Sequence, residues 1–211
     1  MKALTIEQTK EMLIKACEAI MESLPLLTEI DSKIGDGDHG IGMAGGMEKA
    51  KAALEAQDSF SDVNALFKLT GRTMLMSMGG ASGVIFGTMF SGGVKKVEPK
   101  KELDGETLTQ LFYEGLKSIK ERGKAEVGDK TMVDALEPAV IAMQEAPKDD
   151  LVSLLKAGME SALQGVENTK NYVAKFGRAK SLMERSIGYQ DAGATSVSII
   201  FKAMYDYVAS L

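Results

Sequence analysis

Apolar residues recur every three or four positions along almost the whole chain, and this spacing constrains the fold more than any other feature. Such a spacing places the apolar side chains on one face of an α-helix. Alternating polar and apolar runs are hard to find, and no Asn-Gly hairpin turn is present. The chain therefore predicts an all-α protein, a bundle of about eight amphipathic helices. The stripes behind this prediction are Leu13, Cys17, Ile20, Met21 and Leu24; Leu66, Phe67, Thr70 and Met74; Leu108, Leu111, Phe112 and Ile119; Met132, Leu136, Ala139, Val140 and Met143; Leu151, Leu155, Met159, Ala162 and Val166; and Val197, Ile200, Met204 and Val208.

Local signals mark where several of these helices begin or end. Thr5 and Gln8 have the spacing of a capping box. Asp104 is a suitable N-cap, and Pro147 is expected to stop the helix before it. The segment 97–105, VEPKKELDG, is interpreted as a connection between helices and not as a domain boundary.

Length, composition and charge exclude several classes of protein. A chain of 211 residues, 45% hydrophobic and 26% charged, predicts one globular domain over residues 1–211. The net charge of −5 provides no basic face for nucleic acid. No apolar run approaches the roughly 20 residues of a membrane span, and the first residues lack the layout of a signal peptide. Cys17 is the only cysteine, which excludes an intramolecular disulfide, and its place on an apolar stripe between Leu13 and Met21 predicts a core residue. A cytoplasmic enzyme fits these observations.

The glycines are distributed unevenly along the chain. They gather in four segments, residues 35–46, 79–93, 123–128 and 188–193. We interpret these segments as turns between helices, because glycine is unfavourable inside a helix. In a bundle such turns can meet at one end, where a binding site would form.

The first glycine-rich segment begins in the stretch DSKIGDGDHGIG, which holds three aspartates. Asp31, Asp36 and Asp38 offer hard oxygen ligands of the kind that Mg²⁺ or Ca²⁺ prefers. An EF-hand is excluded, because no glutamate stands at the twelfth position of the loop, whether the count starts at Asp31 or at Asp36. A solvated acidic turn that caps the next helix remains the alternative.

His39, the only histidine, follows these aspartates directly. Its imidazole is a candidate to contact a phosphate or to orient a carboxylate. A purely structural histidine is the alternative.

The second segment contains GGASG, residues 79–83, in front of a helical run. Glycines that allow close backbone approach, together with free N–H groups at a helix start, favour binding of a phosphate. No Walker A sequence is present. Close packing of two helices through small residues would explain the same sequence.

The third and fourth segments, GDKTMVDAL at 128–136 and GRAKSLMERSIGYQDAGATS at 177–196, carry Lys130, Arg178, Arg185 and Asp191. Each charge alone is compatible with an ordinary surface. Charge balance, however, favours a binding role for these residues. A nucleoside diphosphate (about −3) beside three aspartates needs about two Mg²⁺ ions and one or two cationic side chains. The four segments therefore contain the ingredients of a metal–nucleotide site.

The chain resembles the L-subunit family of the dihydroxyacetone kinases, through DGDHGI, GGASG, GDKTMVDAL, GRA, ERSIG and GATS in that order. The resemblance implies an antiparallel barrel of helices with the nucleotide, ADP or ATP, at one end. It implies two Mg²⁺ ions on Asp31, Asp36 and Asp38. It also implies that the nucleotide pocket is formed by His39, Gly40, Ile41, Gly42, Ala81, Ser82, Gly123, Met132, Arg178, Asp191, Ala192 and Gly193.

The resemblance further implies a phosphotransferase subunit. It would pass a phosphoryl group from Mg-nucleotide to dihydroxyacetone held on a separate K subunit, with recharging by a phosphotransferase-system M subunit. His39 and Arg178 are the candidate assisting residues, and a homodimer is left open. The alternatives are an ATP-dependent kinase subunit for another small ketose, such as a tetrulose, and a non-catalytic nucleotide-sensing protein.

Three positions depart from the family pattern. Gly42 stands where HGIN has asparagine, and Tyr189 and Ala192 stand where GHQDPGATS has histidine and proline. The metal aspartates are unchanged. The departures therefore bear on the nucleotide lid and on the choice of ketose, and not on metal binding.

Overall fold

The computed structural model describes residues 1–211, most of which lie in helices. The all-α prediction is confirmed. The elements are β1 (Ala3–Leu4), α1 (Ile6–Glu22), α2 (Leu24–Ile34), α3 (His39–Glu55), α4 (Val63–Ser77), α5 (Gly80–Ser91), β2 (Leu103–Asp104), α6 (Gly105–Gly123), α7 (Val133–Glu145), α8 (Leu151–Thr169), a 3-10 segment (Arg178–Ser186) and α9 (Ala192–Ala209).

Eight of the nine α-helices form a closed ring. Each of α3 to α8 packs against the next helix along the chain, and α9 and α3 both pack against α1. The remaining helix, α2, lies against α3 and α9. Because neighbours in the ring run antiparallel, α3, α5, α7 and α9 all begin at one end of the barrel. That end is called the N-terminal end below.

The predicted apolar stripes fill the inside of the ring. A cluster of 45 buried residues includes Phe67, Phe90, Phe112 and Phe201, whose rings contact one another in tilted or edge-on pairs at centroid distances of 5.2 to 6.5 Å. No helix combines the length and the apolar character that a membrane crossing would require.

The expected helix boundaries are found, with one exception. Thr5 and Gln8 form the capping box, Asp104 caps α6, and α7 ends before Pro147. Leu24, however, is not part of the first stripe. Ser23 ends α1, and Pro25 occupies the first turn of α2, where its missing N–H and fixed φ are tolerated.

A short sheet at the far end was not predicted. Ala3 pairs with Asp104 and Leu4 with Leu103, antiparallel. Two residues per strand carry no alternating pattern, so the sequence gives no signal for this pairing. The sheet joins the start of α1 to the start of α6, and β2 lies inside the predicted connection 97–105.

The glycines do not all lie in turns, which corrects the interpretation above. Gly40 to Gly46 lie inside α3, and Gly80 to Gly87 lie inside α5. For Gly87 the reason is close packing of helices, because a Cβ at Gly71 in α4 would come within 2.4 Å of the Gly87 carbonyl oxygen in α5. The alternative of small residues that let two helices approach is therefore realised for this pair.

Candidate functional site

The three aspartates converge at the N-terminal end of the barrel. Asp31 lies in the last turn of α2, and Asp36 and Asp38 lie in the loop that leads into α3. One carboxylate oxygen from each lies within 4.8 Å of the others. Asp36 and Asp38 are exposed and Asp31 is half-buried. The three predicted metal ligands thus lie close enough together to share one cation.

The backbone of this loop is shaped around the Asp31 carboxylate. Its Oδ2 accepts hydrogen bonds from the N–H of Gly37 at 2.9 Å and of His39 at 3.3 Å. Gly37 has φ +78°, a conformation that glycine adopts without steric cost. At Gly35 any Cβ would collide with the Asp31 carboxylate. The two glycines thus allow the loop to close on Asp31.

The three carboxylates repel one another. The pKa of Asp38 is raised, first by desolvation and then by its hydrogen bond to Asp36 and the negative charges of Asp36 and Asp31. The positive charge of Arg178 opposes this rise. A cation in the loop would relieve the repulsion, which is the electrostatic requirement of a metal site.

Arg178 is the side chain that faces the loop. Its Nε lies 2.8 Å from Asp36 Oδ2, and the residue opens the 3-10 segment. The Arg178 side chain is 79% exposed, so this ion pair is open to water and to an incoming ligand. Arg185, at the other end of the segment, is exposed and makes no ion pair.

His39 is the first residue of α3 and connects it to two other helices. Its Nε2 lies 2.8 Å from Ser196 Oγ in the first turns of α9, and its ring lies 6.0 Å from the Phe86 ring in α5. The Ser196 hydroxyl donates to the Ala192 carbonyl, which leaves its oxygen free to accept from Nε2–H. Burial lowers the pKa of His39, so the ring is neutral at pH 7.

The starts of α3 and α5 leave backbone accessible. α5 begins at Gly80 behind Gly79, and no side chain caps it. In α3, in α5 and just before α5, an added Cβ would meet no atom within 4 Å at Gly42, Gly45, Gly79 and Gly80. Ala81 and Ile41 are exposed, Ser82 is half-buried and Gly40 is buried against α2. Open N–H groups at a helix start favour an anion.

The starts of α7 and α9 meet beside the loop. Met132 precedes α7, and a Cβ on Gly193 would lie 3.4 Å from it. Asp191 caps α9 by accepting from the Ala194 N–H at 2.7 Å. Burial raises the pKa of Asp191 to about 7. Ala192 is buried, and Gly123 ends α6 with open space around its Cα.

Lys130 is not available as a surface cation, which corrects that expectation. It is 2% exposed, and its ammonium donates to the carbonyls of Thr169, Tyr172 and Tyr189. The three N–H groups of an ammonium are therefore all used inside the protein.

Comparison with known proteins shows the relationship. Residues 33–206 match the DAK2 domain. The chain belongs to the DAK2 domain family. It is 43% identical over 188 residues to the "PEP-dependent dihydroxyacetone kinase 1, ADP-binding subunit DhaL" of Listeria innocua, covering 89% of each chain. It is 39% identical to the "PTS-dependent dihydroxyacetone kinase, ADP-binding subunit DhaL" of Lactococcus lactis, over 98% of this chain and 100% of the relative.

The fold of this DAK2-domain chain is similar to a solved structure. The dihydroxyacetone kinase of C. freundii, crystallised in complex with AMP-PNP and Mg²⁺, superposes with a TM-score of 0.75 at 26% identity. The match covers 94% of this chain and 33% of that one. The DAK2-domain chain therefore spans about a third of that kinase.

The departures from the family pattern have simple structural settings in this DAK2-domain chain. At Gly42 an asparagine would fit, since nothing lies within 4 Å of an added Cβ. Tyr189 acts through its main-chain carbonyl, which Lys130 contacts, so the identity of its exposed side chain does not alter that bond. Ala192 is a buried residue of the first turn of α9, a position where proline is also tolerated.

Two partners of the site residues were missed from the sequence. Ser196 and Thr169 are small polar residues on helices and give no local signal of a role. His39 and Ser196 are separated by 157 positions, and Thr169 accepts from the Asp191 N–H 22 positions away. Only the antiparallel ring brings these pairs together.

Proposed function

We propose that this chain is the nucleotide-binding subunit of a dihydroxyacetone kinase. It holds a Mg-nucleotide and passes the phosphoryl group to dihydroxyacetone on a separate K subunit. The observation that carries the proposal is the cluster of Asp31, Asp36 and Asp38 beside Arg178, at the end where four helices begin. The names of the relatives, which are ADP-binding subunits, support the same conclusion.

The donor set fits magnesium. Three carboxylates supply hard oxygen ligands. Desolvation is the main cause of the raised pKa of Asp38, and the negative charges of Asp36 and Asp31 add a repulsion that a divalent ion would remove. We infer two ions, because ADP and three carboxylates carry about six negative charges and one Mg²⁺ would neutralise about two. Bound magnesium would neutralise the transferring phosphoryl group and align it with the acceptor oxygen.

The residues around the loop receive the phosphates in this proposal. The first turn of α3, His39 to Gly42, contributes the N–H groups of Gly40 and Ile41, since those of His39 and Gly42 donate to Asp31 and Asp38. The start of α5 at Ala81 and Ser82 adds uncapped N–H donors, and both helices direct the positive ends of their dipoles at this place. Arg178 exchanges its contact with Asp36 for one with a phosphate when metal occupies the carboxylates. His39, neutral and tied to Ser196, orients a phosphate oxygen.

The remaining pocket residues hold the nucleoside. Met132, Ala192 and Gly193 bring the starts of α7 and α9 together, and the absence of a side chain at Gly193 allows its backbone to lie close to Met132. Gly123 provides open space at the end of α6. This half of the site binds and orients the nucleoside. The acidic loop, residues 31–38, and Arg178 serve the phosphoryl transfer.

The names of the relatives bear on the source of the phosphoryl group. Both relatives compared above are named PEP- or PTS-dependent, which supports recharging of bound ADP by a phosphohistidine-bearing M subunit. Exchange of ADP for free ATP is the competing route.

Reconstitution tests this function. The purified chain is combined with a K subunit and dihydroxyacetone, and supplied either with ATP or with a phosphorylated M subunit. We expect Mg²⁺-dependent formation of dihydroxyacetone phosphate with the M subunit as donor. Turnover only with ATP would show that free ATP is the phosphoryl donor. Turnover only with a tetrulose in place of dihydroxyacetone would show that the tetrulose is the substrate. No transfer from any donor to any ketose, despite nucleotide binding, would favour a sensing protein.

A further inference from the structure

Lys130 is a buried cation that the proposed function leaves without a role. We propose that Lys130 is a positioning residue for the nucleotide pocket: its ammonium fixes the turn 189–193 against the start of α7. This inference rests on the proposed function, because it concerns the same pocket.

The contacts of Lys130 are directed at main chain from three places. Its Nζ lies 2.6 Å from the Thr169 carbonyl oxygen, 2.5 Å from that of Tyr189 and 3.3 Å from that of Tyr172. Charged hydrogen bonds of this kind are stronger than neutral ones, particularly away from water. The ammonium therefore ties the end of α8 and the turn before α9 to the segment that precedes α7.

The turn held in this way carries Asp191. The Thr169 hydroxyl accepts a hydrogen bond from the Asp191 N–H at 3.0 Å, while Lys130 binds the carbonyl of Tyr189 two residues earlier. The Asp191 carboxylate then caps α9 through the Ala194 N–H. The positive charge of Lys130 also attracts the Asp191 carboxylate. Lys130 and Thr169 thus fix Asp191 from two sides, and with it the position of Gly193.

The backbone at Lys130 is held in a left-handed conformation that residues other than glycine rarely adopt. Lys130 has φ +61°, and Gly128 before it has φ +98°. The Asp134 carboxylate accepts from the N–H of Gly128 at 2.5 Å and of Thr131 at 2.6 Å, which fixes the loop. Left-handed backbone persists in a lysine only where surrounding contacts enforce it. This geometry turns the side chain inward and places Met132 against Gly193.

Lys130→Met tests the proposal, since it keeps the side-chain length and removes charge and donors. Lys148 is a matched control. Its ammonium also donates to three carbonyls, those of Met143, Gln144 and Ala146, at the other end of α7. The 13 residues of α7 separate the two positions by about 20 Å. Both variants are compared with wild type by calorimetric titration with Mg-ADP and by thermal melting.

We expect Lys130→Met to weaken Mg-ADP affinity at least about tenfold. In the reconstituted assay the Mg-ADP concentration that gives half-maximal activity should rise, while kcat at saturating Mg-ADP stays within about threefold. Lys148→Met should lose melting temperature but keep wild-type affinity. Unchanged affinity in Lys130→Met, or equal losses in both variants, would overturn the positioning role.

A second variant decides the question if Lys130→Met does not fold. Thr169→Val keeps the shape of the side chain and removes the hydroxyl that accepts from the Asp191 N–H. It should weaken Mg-ADP by about tenfold, and wild-type affinity in this variant would contradict the proposal. If the wild type binds Mg-ADP and both variants bind it equally well, this inference alone is refuted. Wild-type protein that does not bind Mg-ADP refutes the proposed function and this inference together.

Discussion

At the scale of single residues, the surroundings of His39 suit a side chain that orients a phosphate oxygen and not one that becomes phosphorylated. Its Nε2 is bonded to Ser196, and burial lowers its pKa, so it is neutral in the working range. A phosphorylated His39 would add negative charge beside three carboxylates that already repel one another. The chain is therefore expected to transfer a phosphoryl group without becoming phosphorylated itself.

His39→Ala should slow phosphoryl transfer by about 10- to 100-fold, the worth of one hydrogen bond to a charged group. Mg-ADP binding should persist, because the carboxylates and helix starts remain. His39→Gln, which retains a hydrogen-bonding side chain, is the milder control. The complementary measurement is incubation of wild type with a radiolabelled donor followed by denaturing removal of nucleotide. Stoichiometric, acid-labile label on His39 would make the chain a phosphohistidine relay.

Asp191 leads to a prediction about pH. Burial raises its pKa to about 7 in the folded chain, above the ordinary value near 4 in the unfolded chain. The folded state therefore binds the proton more tightly, so this group's contribution to stability is present below about pH 4 and is lost as pH rises toward 7. The loss amounts to at most about 4 kcal/mol.

The variant that isolates this effect is Asp191→Asn, which keeps a side chain able to cap α9. The difference in unfolding free energy, wild type minus variant, should fall as pH increases from 4 to 7. Other titrating groups are common to both proteins and largely cancel. A difference that is flat or rises over this range would show that the pKa of Asp191 is not raised.

At the scale of helices and strands, small residues decide how closely the helices approach. Gly71 of α4 and Gly87 of α5 face each other, and a Cβ on either would come within 2.7 Å of a carbonyl oxygen of the other. Backbone on both sides leaves nothing flexible to move aside. Gly45 in the middle of α3 has open space instead.

Gly71→Ala should therefore destabilise the protein by about 1–3 kcal/mol through overpacking. Gly45→Ala is the matched control and should stabilise it by about 0.5–1 kcal/mol, because alanine is the better helix former. Denaturant unfolding of the two variants measures both changes. Equal effects of the same sign would contradict the close contact between α4 and α5.

The same elements show how far the sequence predicts the structure. Apolar periodicity and capping residues report on one helix at a time, so the helices, the Asp104 cap and the end before Pro147 were predictable. A glycine has the same sequence signature in a turn and at a helix contact, so the placement of Gly40 to Gly46 was not. The burial of Lys130 depends on carbonyls 39 to 59 positions away, which no local pattern encodes.

At the scale of the whole molecule, the antiparallel ring assembles the site. Because α3, α5, α7 and α9 start at the same end, the positive ends of their dipoles gather on the side of the acidic loop. The carboxylates suit a metal and the helix starts suit phosphates. A metal–nucleotide complex fits both, whereas either component alone meets charge of its own sign.

Bound Mg-ADP should consequently stabilise the whole chain. At a free concentration of one hundred times Kd, a ligand specific to the folded state adds about 2.7 kcal/mol, or about 5–10 °C in Tm for a chain of this size. EDTA should reverse the shift, and hydrogen exchange should accelerate at residues 31–42. A nucleotide-loaded sample whose melting and exchange ignore EDTA would show that the loop does not hold the metal.

The central claim is that the acidic loop binds magnesium together with the nucleotide. Asp38→Asn tests it most directly, because the substitution removes one charge and preserves the shape of the side chain. Asp58→Asn is the control: Asp58 is exposed beyond the end of α3, and the 17 residues of that helix place it about 25 Å from the loop.

The decisive measurement is calorimetric titration of ADP into each protein at saturating Mg²⁺, with circular dichroism and melting of the nucleotide-free samples alongside. We predict that Asp38→Asn loses at least about tenfold in affinity and melts no lower than wild type, since repulsion in the loop is relieved. Asp58→Asn should match wild type in both. Wild-type affinity for Mg-ADP in Asp38→Asn would contradict the assignment of the acidic loop as the metal site.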